Sequence, residues 1–130
     1  MTEATNVAAR GAILSLPAAL AVTYWASRLF PSIAAWLLGY AFFVLALAPI
    51  AAGSAYVVWK CSTRWPSRLT SLIVGTTFGV VTFYVEGLLL YFVNPSAFGE
   101  PFSASNIFPG LVTGALTGYA RLGVSTDTLV

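Results

Sequence analysis

The sequence predicts an all-α membrane protein, a four-transmembrane-helix antiparallel bundle with both termini cytoplasmic. Hydrophobic residues make up 58% of its 130 residues and charged residues only 8%, whereas soluble domains carry roughly 25% charge. Uncharged stretches cover 11–27, 29–59, 69–85 and 101–120, and a spanning helix needs about 20 apolar residues. Each stretch is therefore long enough, with its neighbouring residues, to cross a bilayer. Short polar connections join them, so 1–130 is expected to form a single integral membrane domain.

Turn residues set the helix boundaries in chain order. Ser32 follows Pro31 and is a favoured N-cap for the second helix. Asn94 and Pro95 end the third helix, since proline cannot continue one. Pro109 falls in the first turn of the last helix, where its missing N–H costs little. The four helices are accordingly expected at 11–28, 33–59, 69–93 and 107–124.

Basic residues predict the orientation of the chain. Short loops rich in Lys and Arg are retained in the cytoplasm, and one loop holds Lys60, Arg64 and Arg68. That placement puts Arg10 and Arg121 on the same side and leaves Arg28 near the opposite face. Both termini are therefore expected inside. The short tails and dense apolar spans favour a bacterial cytoplasmic membrane.

A competing interpretation makes 10–21 a cleaved signal peptide. Ala19 and Ala21 provide the small residues that such a cleavage site uses. The apolar run nevertheless continues through Ala26, which favours a retained spanning helix.

Most catalytic chemistries are excluded by residue type. The chain has no histidine and a single methionine at position 1, which removes histidine-based zinc, haem and Ser-His-Asp sites. The single cysteine, Cys61, cannot form an intramolecular disulfide. No phosphate-binding loop or basic tract is present, and the net charge is only +2. We therefore expect a protein that is not an enzyme, has no metal or other cofactor and binds no nucleic acid.

Glu86 is the only one of the four carboxylates inside a predicted helix, and intramembrane charges are functional candidates by default. It lies about 17 residues beyond Leu69, or roughly 25 Å into a core of about 30 Å. The same count on the first helix reaches Arg28. We predict an Arg28 to Glu86 ion pair that orients the first and third helices. A solute- or proton-binding Glu86, and a solitary interfacial carboxylate, are the alternatives.

Small and polar residues form stripes on two helices. These residues are Gly75, Gly79 and Thr82 on the third helix and Gly110, Thr113, Gly114, Thr117 and Gly118 on the last. In lipid, small-residue stripes let helix backbones approach closely. Counting from the inner helix ends places Gly75 at the depth of Gly118 and Gly79 at that of Gly114. The third and last helices are therefore predicted to pack tightly, the alternative being contact with another subunit.

Two prolines fall near the middles of predicted helices. Pro17 lies in the first helix and Pro49 in the second, and each removes one backbone hydrogen bond and favours a kink. Such kinks are either static bends or parts of a cavity or hinge.

The glycine stripes and the scarcity of chemistry predict a non-catalytic polytopic membrane protein. It is expected to act through helix packing as an accessory, assembly or protective subunit of a membrane complex. Its partners would be the lipid bilayer and another membrane protein or a second copy of itself. The alternative is a small homo-oligomeric transporter or channel for an ion or small solute. Its path would be lined by Glu86, Thr82, Thr113, Thr117 and the proline kinks.

Overall fold

The computed structural model describes residues 3–27, 30–62, 64–65, 67–95 and 107–122. Within these ranges the chain forms helices and no strands, which confirms the predicted all-helical class. The helices are α1 (Glu3–Ile13), α2 (Ser15–Trp25), α3 (Ile33–Ser62), α4 (Arg68–Val93) and α5 (Phe108–Ala120).

Three helical stretches are long and apolar enough to cross a membrane: α1 and α2 taken together as Glu3–Trp25, then α3, then α4. Helix α5 has 13 residues, which at 1.5 Å per residue span about 20 Å of a hydrocarbon core about 30 Å thick. The structure therefore supports an integral membrane protein with three candidate spans in the described part of the chain.

The first helix differs from its predicted form. It begins at Glu3 rather than at residue 11 and divides into two segments at Leu14. Pro17 has no N–H for the carbonyl four residues earlier, and its ring crowds that carbonyl. The chain adapts by starting α2 at Ser15, which places Pro17 in a first turn, where no N–H is required. At the break, the Leu14 N–H donates to the Gly11 carbonyl at 3.0 Å.

Helices α4 and α5 touch backbone to backbone along five glycines, here called the glycine seam: Gly75, Gly79, Gly110, Gly114 and Gly118. A Cβ built on Gly75 would lie 2.5 Å from the Gly114 carbonyl oxygen and 2.7 Å from the Gly118 Cα. A Cβ on Gly79 would lie 2.8 Å from the Gly114 Cα. These contacts run in opposite sequence directions, so the two helices are antiparallel. The five glycines therefore contact one another within a single chain.

Helix α3 packs behind the seam through a buried hydrogen bond. The Ser54 and Thr117 hydroxyl oxygens lie 2.6 Å apart, and both side chains are fully buried. The Ser54 hydroxyl also lies 3.4 Å from the Gly75 carbonyl oxygen. Because lipid offers no competing hydrogen bonds, these contacts hold α3 to both helices of the seam.

The first helix covers the remaining side of α3. A cluster of buried side chains joins α2 to α3: Ala18, Ala19, Val22, Leu47 and Ile50. Nearer the N-terminus, a Cβ built on Gly11 would lie 2.5 Å from the Ala55 Cβ.

Large apolar side chains point away from the bundle. Leu38 is 73% exposed, Leu45 76% and Phe92 76%. Apolar exposure on this scale is unfavourable in water and favourable against lipid tails, which agrees with the length and composition of the helices.

We predict that Gly114→Ala lowers the free energy of unfolding by about 1–3 kcal/mol, because its methyl group would overlap the Gly75 backbone. Gly87 provides the matched control, since a Cβ there meets no atom within 4 Å. Gly87→Ala should be neutral or slightly stabilising because alanine favours helix. Reversible unfolding in detergent measures both variants. Equal free energies of unfolding for Gly114→Ala and Gly87→Ala would contradict the close backbone contact at the glycine seam.

Candidate functional site

A groove of about 370 Å³ lies between α3 and α4. Its lining residues are Pro49, Ile50, Phe78, Thr82, Val85, Glu86 and Leu89. The residues from α4 recur at spacings of three and four, which places them on one helical face. Most of this lining is apolar, and Glu86 is the only charged residue among the described residues that form it.

One carboxylate oxygen of Glu86 lacks a hydrogen-bond partner among the residues that the structure describes. Glu86 is partly buried, and its Oε1 is fully buried without a hydrogen bond in the described part of the chain. Thr82 lies one turn away, but its hydroxyl already donates to the Phe78 carbonyl at 2.6 Å. A buried polar atom without a hydrogen bond is unfavourable. The groove therefore presents a buried acceptor whose donor is not among the described residues.

The predicted partner of Glu86 lies outside the described residues. Arg28 is one of the residues between 27 and 30, so the Arg28 to Glu86 ion pair stays a prediction.

The two predicted kinks have different surroundings. Pro49 lies inside α3, which continues on both sides of it, and its ring lines the groove that contains Glu86. Pro17 lies at the start of α2 and is not among the groove residues. Only Pro49 is therefore positioned to shape the site.

The structure separates the three threonines that were predicted to line a path. Thr82 shares the groove with Glu86, whereas Thr113 and Thr117 are fully buried beside the glycine seam. The Thr113 hydroxyl donates to the Pro109 carbonyl at 2.8 Å, and Thr117 bonds to Ser54. Their polar atoms are satisfied internally. One chain thus presents Thr82 and Glu86 in the groove without the other two threonines.

Sequence reasoning missed the burial of Arg121, which it used only to predict orientation. Arg121 is 3% exposed, and none of its three guanidinium nitrogens has a hydrogen-bond partner in the described ranges. The available signal was spacing. Arg121 follows Gly118 by three residues, so it continues the helical face that carries the glycines.

No cluster of three or more potential metal ligands of the His, Cys, Asp or Glu type occurs among the residues that the structure describes. The Cys61 thiol is free and partly buried. These residues therefore supply no candidate metal centre.

No protein-family model, curated protein or solved structure matched the chain.

Proposed function

We propose that this chain is a non-catalytic subunit of a membrane complex and that it binds another membrane protein through the groove around Glu86. The observation that carries this proposal is the buried Glu86 Oε1, which lacks a hydrogen-bond donor in the described part of the chain. The glycine seam is occupied internally, so its small residues are not available to a partner. In the groove, by contrast, the Glu86 Oε1 has no hydrogen-bond partner among the described residues, so a partner protein can supply one.

The chemistry of the groove defines the partner. A transmembrane helix would lay its apolar side chains against Phe78, Val85 and Leu89 and bring one donor to Glu86. Suitable donors are a hydroxyl or amide side chain, or a Lys or Arg that pairs with the carboxylate. Hydrogen bonds between membrane helices contribute roughly 0.6–2 kcal/mol, and those to charged groups contribute more.

The proposal includes four membrane passes, with α5 contributing to the fourth. Support comes from the seam, which pairs α5 antiparallel to the spanning helix α4. The proposed cytoplasmic face carries Lys60, Arg64 and Arg68, all exposed. The Lys60 ammonium lies 4.8 Å from the centre of the Trp59 ring, a pairing typical of a membrane interface. A bacterial cytoplasmic membrane fits this arrangement.

A second candidate function is a homo-oligomeric transporter or channel. It is favoured by the convergence of Pro49, Thr82 and Glu86 on one groove. Copies that met groove to groove would bring several carboxylates together, and oligomers can build a path from few polar groups.

We predict opposite effects of Glu86→Leu on the isolated chain and on the complex. The isolated variant should be at least as stable as the wild type, because the unpaired buried oxygen is removed. Its capture of the partner in mild detergent should fall at least about tenfold, as expected when a charge-assisted hydrogen bond is lost. Unfolding in detergent and quantitative co-purification measure the two effects.

A crosslinking pair provides the matched control. A photo-reactive amino acid at Leu89, in the groove, should capture the partner, whereas one at Ile73, exposed on α4 outside the groove, should not. If the partner is captured equally well in the wild type and in Glu86→Leu, the proposal that it binds through the groove is contradicted. A homo-oligomer that moves ions in liposomes, with flux blocked by Glu86→Gln, would instead establish the second function.

We predict that Cys61 reacts with a membrane-impermeant maleimide only from the cytoplasmic side. In a Cys61→Ser background, Ala120→Cys should label from that side and Pro31→Cys from the opposite side. Four passes with both termini in the cytoplasm put residue 120 on the cytoplasmic face and residue 31 on the outer face. All three positions have exposed or partly exposed side chains. Labelling of Ala120→Cys from the outside would contradict a four-pass topology.

A further inference from the structure

The end of α5 holds a buried cation without a partner. Arg121 is 3% exposed, and its Nε, Nη1 and Nη2 are all buried without hydrogen bonds in the described part of the chain. Arginine presents its positive charge on a planar fork of N–H donors and has no acceptor of its own. An uncompensated buried charge is strongly unfavourable. A bound anion would compensate this buried positive charge.

Ser71 is a second unsatisfied group at the same end of the bundle. It is 2% exposed, and its Oγ is buried without a partner in the described ranges. The Ser71 carbonyl oxygen would lie 2.6 Å from a Cβ on Gly118, so the two backbones are in contact there. Arg121 follows Gly118 by three residues, about 4.5 Å along the helix axis. The unpartnered hydroxyl and guanidinium thus belong to adjacent turns of the α4 and α5 pair.

Arg68 adds a second positive charge at this end. It lies one turn before Ser71 on α4 and is exposed. Its Nη1 donates to the Tyr119 carbonyl at 2.9 Å, and its guanidinium lies 4.8 Å from the centre of the Tyr119 ring. This contact keeps the Arg68 side chain beside the end of α5.

The backbone fixes the position of Arg121. Its φ of 49° is left-handed, a conformation that residues other than glycine rarely adopt. Its N–H donates to the Thr117 carbonyl at 3.2 Å and closes the helix. The guanidinium is therefore carried by an anchored residue at the end of α5.

The described carboxylates do not supply the anion. Glu86 lies 15 residues beyond Ser71 on α4, about 22 Å along the helix axis. Glu3 is exposed at the start of α1. Neither is hydrogen-bonded to the guanidinium, whose nitrogens have no partner among the described residues.

We propose that Arg121 and Ser71, with Arg68 at the entrance, form a binding site for a phosphate-type oxyanion supplied by an anionic lipid headgroup. The guanidinium fork matches two phosphate oxygens, and the hydroxyl donates to a third. The site lies at the basic end of the bundle, the region where pockets between membrane helices bind lipid phosphates. It lies far from the Glu86 groove and does not depend on the partner proposed there.

The test uses the full chain, delipidated in neutral detergent, with dioleoylphosphatidylglycerol as the probe and dioleoylphosphatidylcholine as the uncharged comparison. Native mass spectrometry measures lipid binding, and thermal unfolding measures stability. Phosphatidylglycerol should bind the wild type at least about tenfold more tightly than it binds Arg121→Met, because charge-assisted hydrogen bonds are lost. Without anionic lipid, Arg121→Met should be the more stable protein, since methionine fills the space without a buried charge.

Ser71→Ala keeps the proposal falsifiable if Arg121→Met fails to fold. It removes one hydroxyl from the site and should weaken phosphatidylglycerol binding while the chain stays folded. Arg64→Gln is the matched control, because Arg64 is an exposed cation at the same end outside the cluster. Its lipid binding should stay within about twofold of the wild type, as expected for a screened surface charge.

Inorganic phosphate at matched ionic strength distinguishes the source of the oxyanion. A response to phosphatidylglycerol alone supports a lipid site, and an equal response to free phosphate supports the oxyanion site with a soluble ligand. Equal lipid affinity in the wild type, Arg121→Met and Ser71→Ala would overturn the proposal. A further carboxylate, Asp127, lies beyond the described residues. A wild type that is stable without added anion and loses that stability in Asp127→Asn would also overturn the proposal, because this carboxylate of the chain would then fill the site.

Discussion

The close backbone contact between α4 and α5 is the constraint on which the rest of the structure depends. Lipid tails are as apolar as the helices, so burial from water does not drive helices together inside a bilayer. Association there requires close packing and hydrogen bonds. The absence of side chains along the glycine seam permits both, because it brings the Gly75 and Gly118 backbones together and lets Ser54 of α3 reach Thr117.

The seam also determines which groups are left without partners. The buried threonines beside it bond to carbonyls or to Ser54, so the interior of the helix pair is satisfied. Among the described residues, unsatisfied buried polar atoms occur instead at Glu86, in the second half of α4, and at Ser71 and Arg121 near the start of α4. About 22 Å of helix separates Glu86 from Ser71, too far for the acid at one site to neutralise the arginine at the other. We propose a separate external ligand for each site, a donor from a partner helix at Glu86 and an oxyanion at Arg121 and Ser71.

Much of the helical architecture follows from the sequence, because lipid imposes simple rules. Uncharged stretches of spanning length mark α3 and α4, since backbone groups in lipid must bond within the helix. A rise of 1.5 Å per residue, counted from two helix ends, pairs Gly75 with Gly118, and the structure places these residues in contact.

Other features depend on tertiary contacts that no local pattern contains. The first helix extends back to Glu3 because charged residues are tolerated where a helix leaves the hydrocarbon layer, so the uncharged stretch underestimates its length. The rotation of each helix about its axis decides that Thr82 faces the groove while Thr113 faces the seam. The same rotation buries Arg121, whose charge alone favours exposure.

Disulfide formation between Ser54→Cys and Thr117→Cys, in a Cys61→Ser background, tests most directly whether the seam and its α3 contact form within one chain. The native hydroxyls are 2.6 Å apart, so the replacement thiols lie within bonding reach. Mild oxidation in native membranes should give a crosslinked monomer with altered mobility on a gel. A crosslink found only in dimers, or none at all in a folded protein, would contradict the account.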